Sequence, residues 1–359
     1  VGCTPASPPA GGYKWDLSWN HESIIGRPQL SEVVAKAQSV TWVGCPAWSC
    51  GCPEEEESLI EALEAQLNCF AFVPPAEARR GHSALCRRVL WPLLHNQTLH
   101  WAGRRDEIFS DAEWRAYCLL NKKMADKVLE VAEPDSVIWA HDYHLLLLPS
   151  YLIRKLPVAN VGLSLHTPFP SSDTFRALSV REEILRAMLN ADLVHFHLFE
   201  YARNFLACCK RMLGLEFEFK PGGFLGVECS GRHTMVSVAC AGISPPTLQP
   251  HIDAIASGHA SLKTEWPELA SRLESMQAKL GSSRRVQLLA GIDEVDRLKG
   301  VPLKLHAFRH MLREHPELRG RVLLAQLCLF QRKSATGAHA LSTQAALDGG
   351  STGLEPTSA

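Results

Sequence analysis

The chain has 359 residues, of which 46% are apolar and 21% are charged, a composition typical of globular proteins. At about 150 residues per domain, this length predicts about two domains. A formal net charge of -1 excludes bulk electrostatic attraction to nucleic acid or to an anionic membrane, and no apolar run approaches the roughly 20 residues that a membrane-spanning helix needs.

Composition also divides the chain. Residues 1–12 are rich in Pro, Gly and Ser and are predicted to form a loose lead-in, and residues 333–359 resemble a low-complexity, disordered tail. Between them we expect an N-terminal domain over 13–245, followed over 246–332 by linker helices and the start of a second domain. The twelve cysteines are scattered through a long chain, which favours reduced thiols and a cytoplasmic location.

The first predicted elements are strands at residues 40–44 and 69–73, two short apolar runs that end in turn residues. Ser110 and Glu113 have the spacing of a capping box, which predicts the start of a long helix that ends near Val131. An apolar stripe at helical spacing supports this helix.

A strand, helix and strand follow at residues 137–141, 144–156 and 161–166. A unit of this length connects two parallel neighbours in one sheet. The alternation continues with a helix whose start is predicted from a second capping box, Ser179 and Glu182. A strand at 193–198, a helix at 200–213 and a strand at 235–241 are predicted to follow. The pattern predicts an α/β fold with an open parallel sheet covered on both faces.

After a helical stretch at 247–283, a second strand, helix and strand are predicted at 286–291, 303–314 and 321–327. A second doubly wound domain needs more strands than these. We therefore expect one complete domain and one partial domain.

Ligands of open α/β sheets bind beyond the carboxyl ends of the strands. Asp142 and His166 lie at the carboxyl ends of two neighbouring strands of the predicted sheet, where the carboxylate could accept hydrogen bonds from sugar hydroxyls and the imidazole could donate one. An alternative role for Asp142 is to cap the following helix. Lys299, near the start of a helix, is suited to a phosphate group.

Several histidines suggest a metal site as an alternative, but no cluster combines Cys and His at zinc-binding spacing. We therefore predict no metal.

The motifs WAHDYHL at 139–145 and LHTPFPSS at 165–172 resemble those of the trehalose-6-phosphate synthase family. The runs LSVREEIL at 178–185, LWP at 90–92 and KGVPLKL at 299–305 match in the same order. The resemblance covers about residues 15–332. These motifs are most similar to those of the plant-type members, in which a phosphatase domain often follows the synthase domain.

The resemblance implies a GT-B-like fold of two Rossmann-like domains that transfers glucose from UDP-glucose to glucose 6-phosphate with retention and without a metal or other cofactor. It implies that Trp91 and Asp142 contact the acceptor sugar, and that Arg332 and His82, which stands at a family Tyr position, contact its phosphate. His166 would contact the donor glucose and Lys299 the donor diphosphate. Expected partners are a sugar phosphate, a nucleotide sugar, and related synthase or phosphatase subunits in a homo- or hetero-oligomer.

The chain also departs from the family. Glu294 stands five residues before the lysine, where the family has an Arg, so a carboxylate would face the diphosphate. The family's later donor-binding segment finds no match after Arg332. Three hypotheses follow: an active transferase, a degenerate sugar-phosphate sensor or regulatory subunit, and a truncated product of an active enzyme; we expect weak activity or none.

Overall fold

The computed structural model describes the residues 2–6, 14–18, 37, 39–46, 50–97, 109–157, 160–220, 224–240, 242, 245–258, 261–265, 267–279, 286–295 and 297–329. The chain divides into two compact units, Val1–Ser244 and Pro245–Ala359. The predictions made for Arg332 and for residues 333–359 lie outside the described residues.

The strands of the first unit, in chain order, are β1 (Gly2–Ala6), β2 (Lys14–Ser18), β3 (Trp42–Gly44), β4 (Cys69–Ala71), β5 (Val137–His141), β6 (Asn160–Ser164), β7 (Leu193–Phe196), β8 (Phe217–Lys220), β9 (Phe224–Cys229) and β10 (Arg232–Val238). Its helices are α1 (Pro53–Leu67), α2 (Ala76–Leu85), α3 (Trp91–Leu94), α4 (Asp111–Val131), α5 (Leu148–Leu152), α6 (Ser172–Phe175), α7 (Arg181–Met188) and α8 (Phe199–Leu213). A π-helical turn, Cys86–Leu90, joins α2 to α3.

The central sheet has six strands in the order β5-β6-β7-β10-β9-β8. The predicted parallel arrangement is confirmed for β5, β6, β7 and β10. The sheet is nevertheless mixed, because β9 pairs antiparallel with β10 on one side and with the edge strand β8 on the other. Sequence analysis missed this meander, although Ser230 and Gly231, both at positive φ (53° and 76°), form the two-residue turn that such hairpins require.

Helices cover one face of this sheet among the described residues. Val161, Leu163, Val194 and Phe196 are at most 1% exposed on that face and belong to one large apolar core. On the opposite face Trp139 remains 46% exposed. The prediction of a sheet covered on both faces is therefore met on one face only in the part of the chain that the structure describes.

Two predicted capping boxes do not form. Ser110 is in the cap position of α4, but its side chain makes no cap hydrogen bond. The Glu113 carboxylate instead accepts two hydrogen bonds from Arg88 Nη2 at 2.8 and 2.9 Å. Helix α7 begins at Arg181, with Val180 in the cap position and no side-chain cap, so Ser179 does not start it.

The helix predicted at residues 144–156 is also wrong in detail. A 3-10 turn, Tyr143–Leu145, is followed by the short α5, with Pro149 in its first turn. Proline has no N–H to donate to the carbonyl four residues earlier, so one continuous helix cannot run through this position.

The N-terminal segment is more regular than the loose lead-in predicted for it. Strand β1 pairs antiparallel with β2, with Gly2 opposite Ser18 and Ala6 opposite Lys14. Backbone hydrogen bonds of this kind need no apolar side chains, so the composition of this segment did not predict a strand. Trp15 of β2 is 8% exposed and packs in a small core with Leu59 and Leu63.

The second unit contains α9 (Pro245–Ala256), α10 (Leu262–Glu265), α11 (Pro267–Lys279), β11 (Gln287–Glu294), α12 (Val301–Glu314) and β12 (Val322–Leu329). The helical stretch and the second strand-helix-strand unit are as predicted, and β11 pairs parallel with β12 from Gln287–Val322 to Glu294–Leu329. Within the described residues, no helix of either unit is both long and apolar enough to cross a membrane.

Candidate functional site

The candidate site lies at the carboxyl edge of the parallel strands in the first unit. The register pairs His141 at the end of β5 with Ser164 at the end of β6, and Ser164 with His195 of β7. Because parallel strands end on the same side of a sheet, the loops that carry Asp142 and His166 emerge next to each other.

Asp142 joins the two loops directly. Its backbone N–H donates to Ser164 O at 2.7 Å, and its Oδ1 accepts from the backbone N–H of His166 at 3.2 Å. Its φ of 68° lies in the left-handed region, where a non-glycine residue is strained and often functional. Its side chain caps no helix, so the alternative capping role is wrong.

Three histidines form a hydrogen-bonded chain beside Asp142. His141 Nδ1 lies 3.0 Å from His166 Nε2, and His166 Nδ1 lies 3.0 Å from His197 Nε2. A nitrogen–nitrogen hydrogen bond needs one N–H and one lone pair, so the central ring of a neutral chain donates at one nitrogen and accepts at the other. Both ring nitrogens of His166 are therefore engaged, and a ring contact with a ligand would replace one of these bonds.

Burial keeps the imidazoles of His141 and His166 neutral by lowering their pKa values. Desolvation, reinforced by the neighbouring His166, lowers the pKa of His141 to about 4. Desolvation likewise lowers the pKa of His166, against the opposing effect of the Asp142 carboxylate. Neutral rings at pH 7 can each donate one hydrogen bond and accept another.

His82 does not have the open position expected of a phosphate ligand. It is 8% exposed, its ring stacks on Tyr117 with centroids 5.1 Å apart, and its Nε2 lies 3.1 Å from the carbonyl oxygen of His144. A carbonyl only accepts, so Nε2 carries the proton. Desolvation lowers the pKa of His82 to about 4, which leaves no positive charge there to attract a phosphate.

Trp91 lies close to the Asp142 loop. Its half-buried ring lies 5.9 Å from the ring of Tyr143, the residue after Asp142, and 4.0 Å from the ring of His95. An aromatic face near a carboxylate is an arrangement that suits a sugar ring and its hydroxyls.

The second unit carries Lys299 and Glu294, the two positions predicted to face the donor diphosphate, near the carboxyl end of its strand β11. Glu294 is the last residue of β11, and the exposed Lys299 ends a 3-10 turn just before α12. Sequence analysis missed the cluster beneath them, in which Asp293 accepts hydrogen bonds from Lys304 Nζ and from Gln326 Nε2. Among the described residues, no group of three or more His, Cys, Asp or Glu side chains is arranged to hold a metal ion.

Sequence reasoning also missed the partners of the predicted residues. His141 and His197 were considered only as metal ligands, although their places at strand ends next to His166 could have indicated the hydrogen-bonded chain. Tyr117 and Asn121, which contact the loop after Asp142, had no signal beyond their helical spacing.

Comparison with known proteins gives one consistent family. The model of glycosyltransferase family 20 matches residues 12–346. An Arabidopsis thaliana alpha,alpha-trehalose-phosphate synthase [UDP-forming] is 36% identical over 318 residues, which are 88% of this chain and 34% of that protein. An Aspergillus niger synthase is 33% identical over 332 residues, 90% of this chain and 62% of that protein. The chain thus spans about a third of the length of the plant relatives.

Solved structures have the same fold. The N-terminal domain of a Candida albicans trehalose-6-phosphate phosphatase matches with a TM-score of 0.66 and 26% identity, covering 87% of this chain and 62% of that one. A Burkholderia xenovorans trehalose-phosphate synthase in complex with glucose-6-phosphate matches with a TM-score of 0.61 and 22% identity, covering 74% and 54%. The predicted α/β fold of GT-B type is therefore confirmed.

Proposed function

The chain belongs to glycosyltransferase family 20, and on that premise we propose that it is a trehalose-6-phosphate synthase-like enzyme. The reaction transfers glucose from UDP-glucose to glucose 6-phosphate with retention and releases UDP. The observation that carries the proposal is the hydrogen bond from the His166 N–H to Asp142 Oδ1, which joins the two motif loops at one edge of the sheet.

More contacts support the proposed acceptor site than support the proposed donor site. Within the part of the chain that the structure describes, Asp142 Oδ1 accepts from the His166 N–H and Oδ2 has no hydrogen-bond partner, which leaves Oδ2 for sugar hydroxyls. Trp91 offers an aromatic ring beside the same loop. Related proteins solved with glucose-6-phosphate and with UDP-2-fluoro glucose bind ligands of these two classes. We assign glucose 6-phosphate to the Asp142 loop of this chain.

The donor side rests on Lys299 and the start of α12. A cation and the N–H groups of a helix start both stabilise a diphosphate, the leaving group of the reaction. In a retaining transfer of this kind the leaving diphosphate helps to deprotonate the acceptor, so neither a nucleophilic carboxylate nor a metal is required. Glu294 works against this charge arrangement, and we expect slow turnover for that reason.

The test is isothermal titration of the purified chain with each ligand, together with an assay of UDP release when both are present. We expect Asp142→Ala to weaken glucose 6-phosphate binding at least tenfold, whereas Asp135→Ala, an exposed carboxylate before the same strand, leaves it unchanged. Lys299→Ala should weaken UDP-glucose binding more than Asp142→Ala does. Lys263→Ala, which removes an exposed lysine of the same unit paired with Glu274, is its control.

The outcomes separate the hypotheses. UDP release that depends on glucose 6-phosphate supports the transferase. Binding of glucose 6-phosphate without UDP release supports the degenerate, sensing alternative. Equal effects of the Asp142 and Lys299 substitutions on both ligands would contradict the assigned roles.

We further propose a cytoplasmic location and assembly with related synthase or phosphatase subunits. The buried thiols of Cys208 and Cys209 are free, as expected in a reducing compartment. Cell fractionation and size-exclusion chromatography with light scattering test these two points.

A further inference from the structure

A set of buried polar side chains grips the backbone immediately after Asp142. The Tyr117 hydroxyl donates to Tyr143 O at 2.7 Å and accepts from the Leu146 N–H at 3.1 Å. Asn121 Nδ2 and His82 Nε2 both donate to His144 O, each at 3.1 Å. We call Tyr117, Asn121 and His82 the loop clamp.

The clamp residues come from helices that are distant in sequence but meet at this point. Tyr117 and Asn121 lie one turn apart on α4, and His82 lies on α2. Tyr117 and Asn121 are 0% exposed and His82 is 8% exposed. The clamp is therefore shielded from water, where hydrogen bonds are stronger and costly to leave unmade.

Packing alone does not explain these residue types. An apolar side chain would fill the same space, yet Asn121 is kept there although, among the described residues, its buried Oδ1 has no hydrogen-bond partner. A buried polar group with an unsatisfied atom is unfavourable unless its other atoms provide something specific. What Asn121 provides is a pair of hydrogen bonds, to Tyr117 O and to His144 O.

The object held by the clamp is the strained turn at Asp142. A non-glycine residue at a φ of 68° relaxes unless the peptides on both sides are fixed. The preceding side is fixed by the bond from Asp142 N–H to Ser164 O. The clamp fixes the following side at three positions, the carbonyl groups of Tyr143 and His144 and the N–H of Leu146.

We propose that Tyr117, Asn121 and His82 are positioning residues that hold the Asp142 carboxylate at the edge of the sheet for a sugar-phosphate ligand. His82 thereby acts through the backbone of the loop and not as a phosphate ligand. The ligand part of this proposal rests on the proposed function, whereas the conformational part stands on the contacts alone.

The experiment combines hydrogen exchange with titration of glucose 6-phosphate. Tyr117→Phe removes only the hydroxyl, and Tyr201→Phe, in a half-buried tyrosine of α8 packed against the same core, is the matched control. We expect Tyr117→Phe to speed amide exchange at Leu145 and Leu146 at least tenfold, with strand β7 unchanged, and to weaken glucose 6-phosphate binding at least fivefold. UDP-glucose binding should not change.

Two further variants keep the test decisive if Tyr117→Phe folds poorly. His82→Gln retains an N–H donor and should keep most of the affinity, whereas His82→Leu should lose it. Faster exchange in the loop with unchanged affinity would overturn the positioning role, and so would equal acceleration throughout the protein. If the unsubstituted chain binds no glucose 6-phosphate, the proposed function fails, and the exchange data alone then decide whether the clamp holds the loop.

Discussion

Desolvation governs the charge of the buried histidines. The pKa values of His82 and His141 fall to about 4 in the folded chain, below the value of about 6.5 for an unperturbed imidazole. Between these two pH values the unfolded chain binds more protons than the folded one. Stability from the neutral rings is therefore fully present above pH 6.5 and is lost as the pH falls toward 4.

This linkage predicts a specific acid sensitivity. Between pH 7 and pH 4.5 the free energy of unfolding should fall by on the order of 2 kcal/mol for a histidine of this kind. Replacing His82 by Gln, which does not titrate, should flatten the curve measured by urea unfolding at several pH values. Parallel curves for the original chain and His82→Gln would show that His82 is not neutral in the folded state.

For individual residues, the sequence predicted which side chains lie at the candidate site better than it predicted what surrounds them. Asp142 and His166 lie within recognisable motifs at strand ends, and a hydrogen bond connects the two residues. The burial of His82 depends on stacking with Tyr117, 35 positions later in the chain, a contact that residue type and local spacing do not encode. The engagement of both His166 ring nitrogens likewise depends on His141 at the end of β5 and on His197 just after β7.

At the scale of helices and strands, local signals predicted several elements together with their ends: the helix predicted from Ser110 to near Val131 is α4, and the strand predicted at residues 137–141 is β5. The side-chain contacts at the helix starts were not predicted in the same way. Glu113 satisfies the spacing of a capping box, yet a guanidinium from the π-helical turn before α3 binds its carboxylate with two hydrogen bonds. A charged pair of that geometry outcompetes a single bond to a backbone N–H. Of the β8–β9–β10 meander, the sequence predicted only a strand at residues 235–241, which overlaps β10, and it missed β9 and the four-residue β8.

Contact between α2 and α4 sets the position of the loop clamp and yields a further prediction. A Cβ on Gly81 would lie 2.7 Å from Ala116 Cβ, closer than two side-chain carbons can pack. Gly81→Ala, normally favourable in a helix, should therefore destabilise the first unit by about 1–3 kcal/mol. Urea unfolding measures this, with Gly44→Ala as control, because nothing lies within 4 Å of a Cβ there. Equal stability of the two variants would contradict the close helix contact.

For the whole molecule, the two units differ in how well they bury their apolar residues. The first unit has a large continuous core. In the second, α12 has no buried residue, and the strand residues Leu289 and Ile292 are 45% and 64% exposed. The small number of strands in the second half of the sequence predicted this imbalance, but the sequence did not predict which apolar residues are exposed.

Exposed apolar surface of this kind promotes association, so we expect the chain to aggregate through its second unit. Leu303 of α12 is 72% exposed, and Leu303→Lys should reduce both binding of an apolar dye and light scattering on warming. Gln249→Lys adds the same charge at an exposed polar position of α9 and separates loss of apolar surface from added charge. Because Leu303 has so little of its side chain buried, the substitution should leave the unfolding free energy of the first unit unchanged. Equal benefit from both lysines would assign the effect to net charge, and a chain that already stays monodisperse and binds no dye would contradict the prediction.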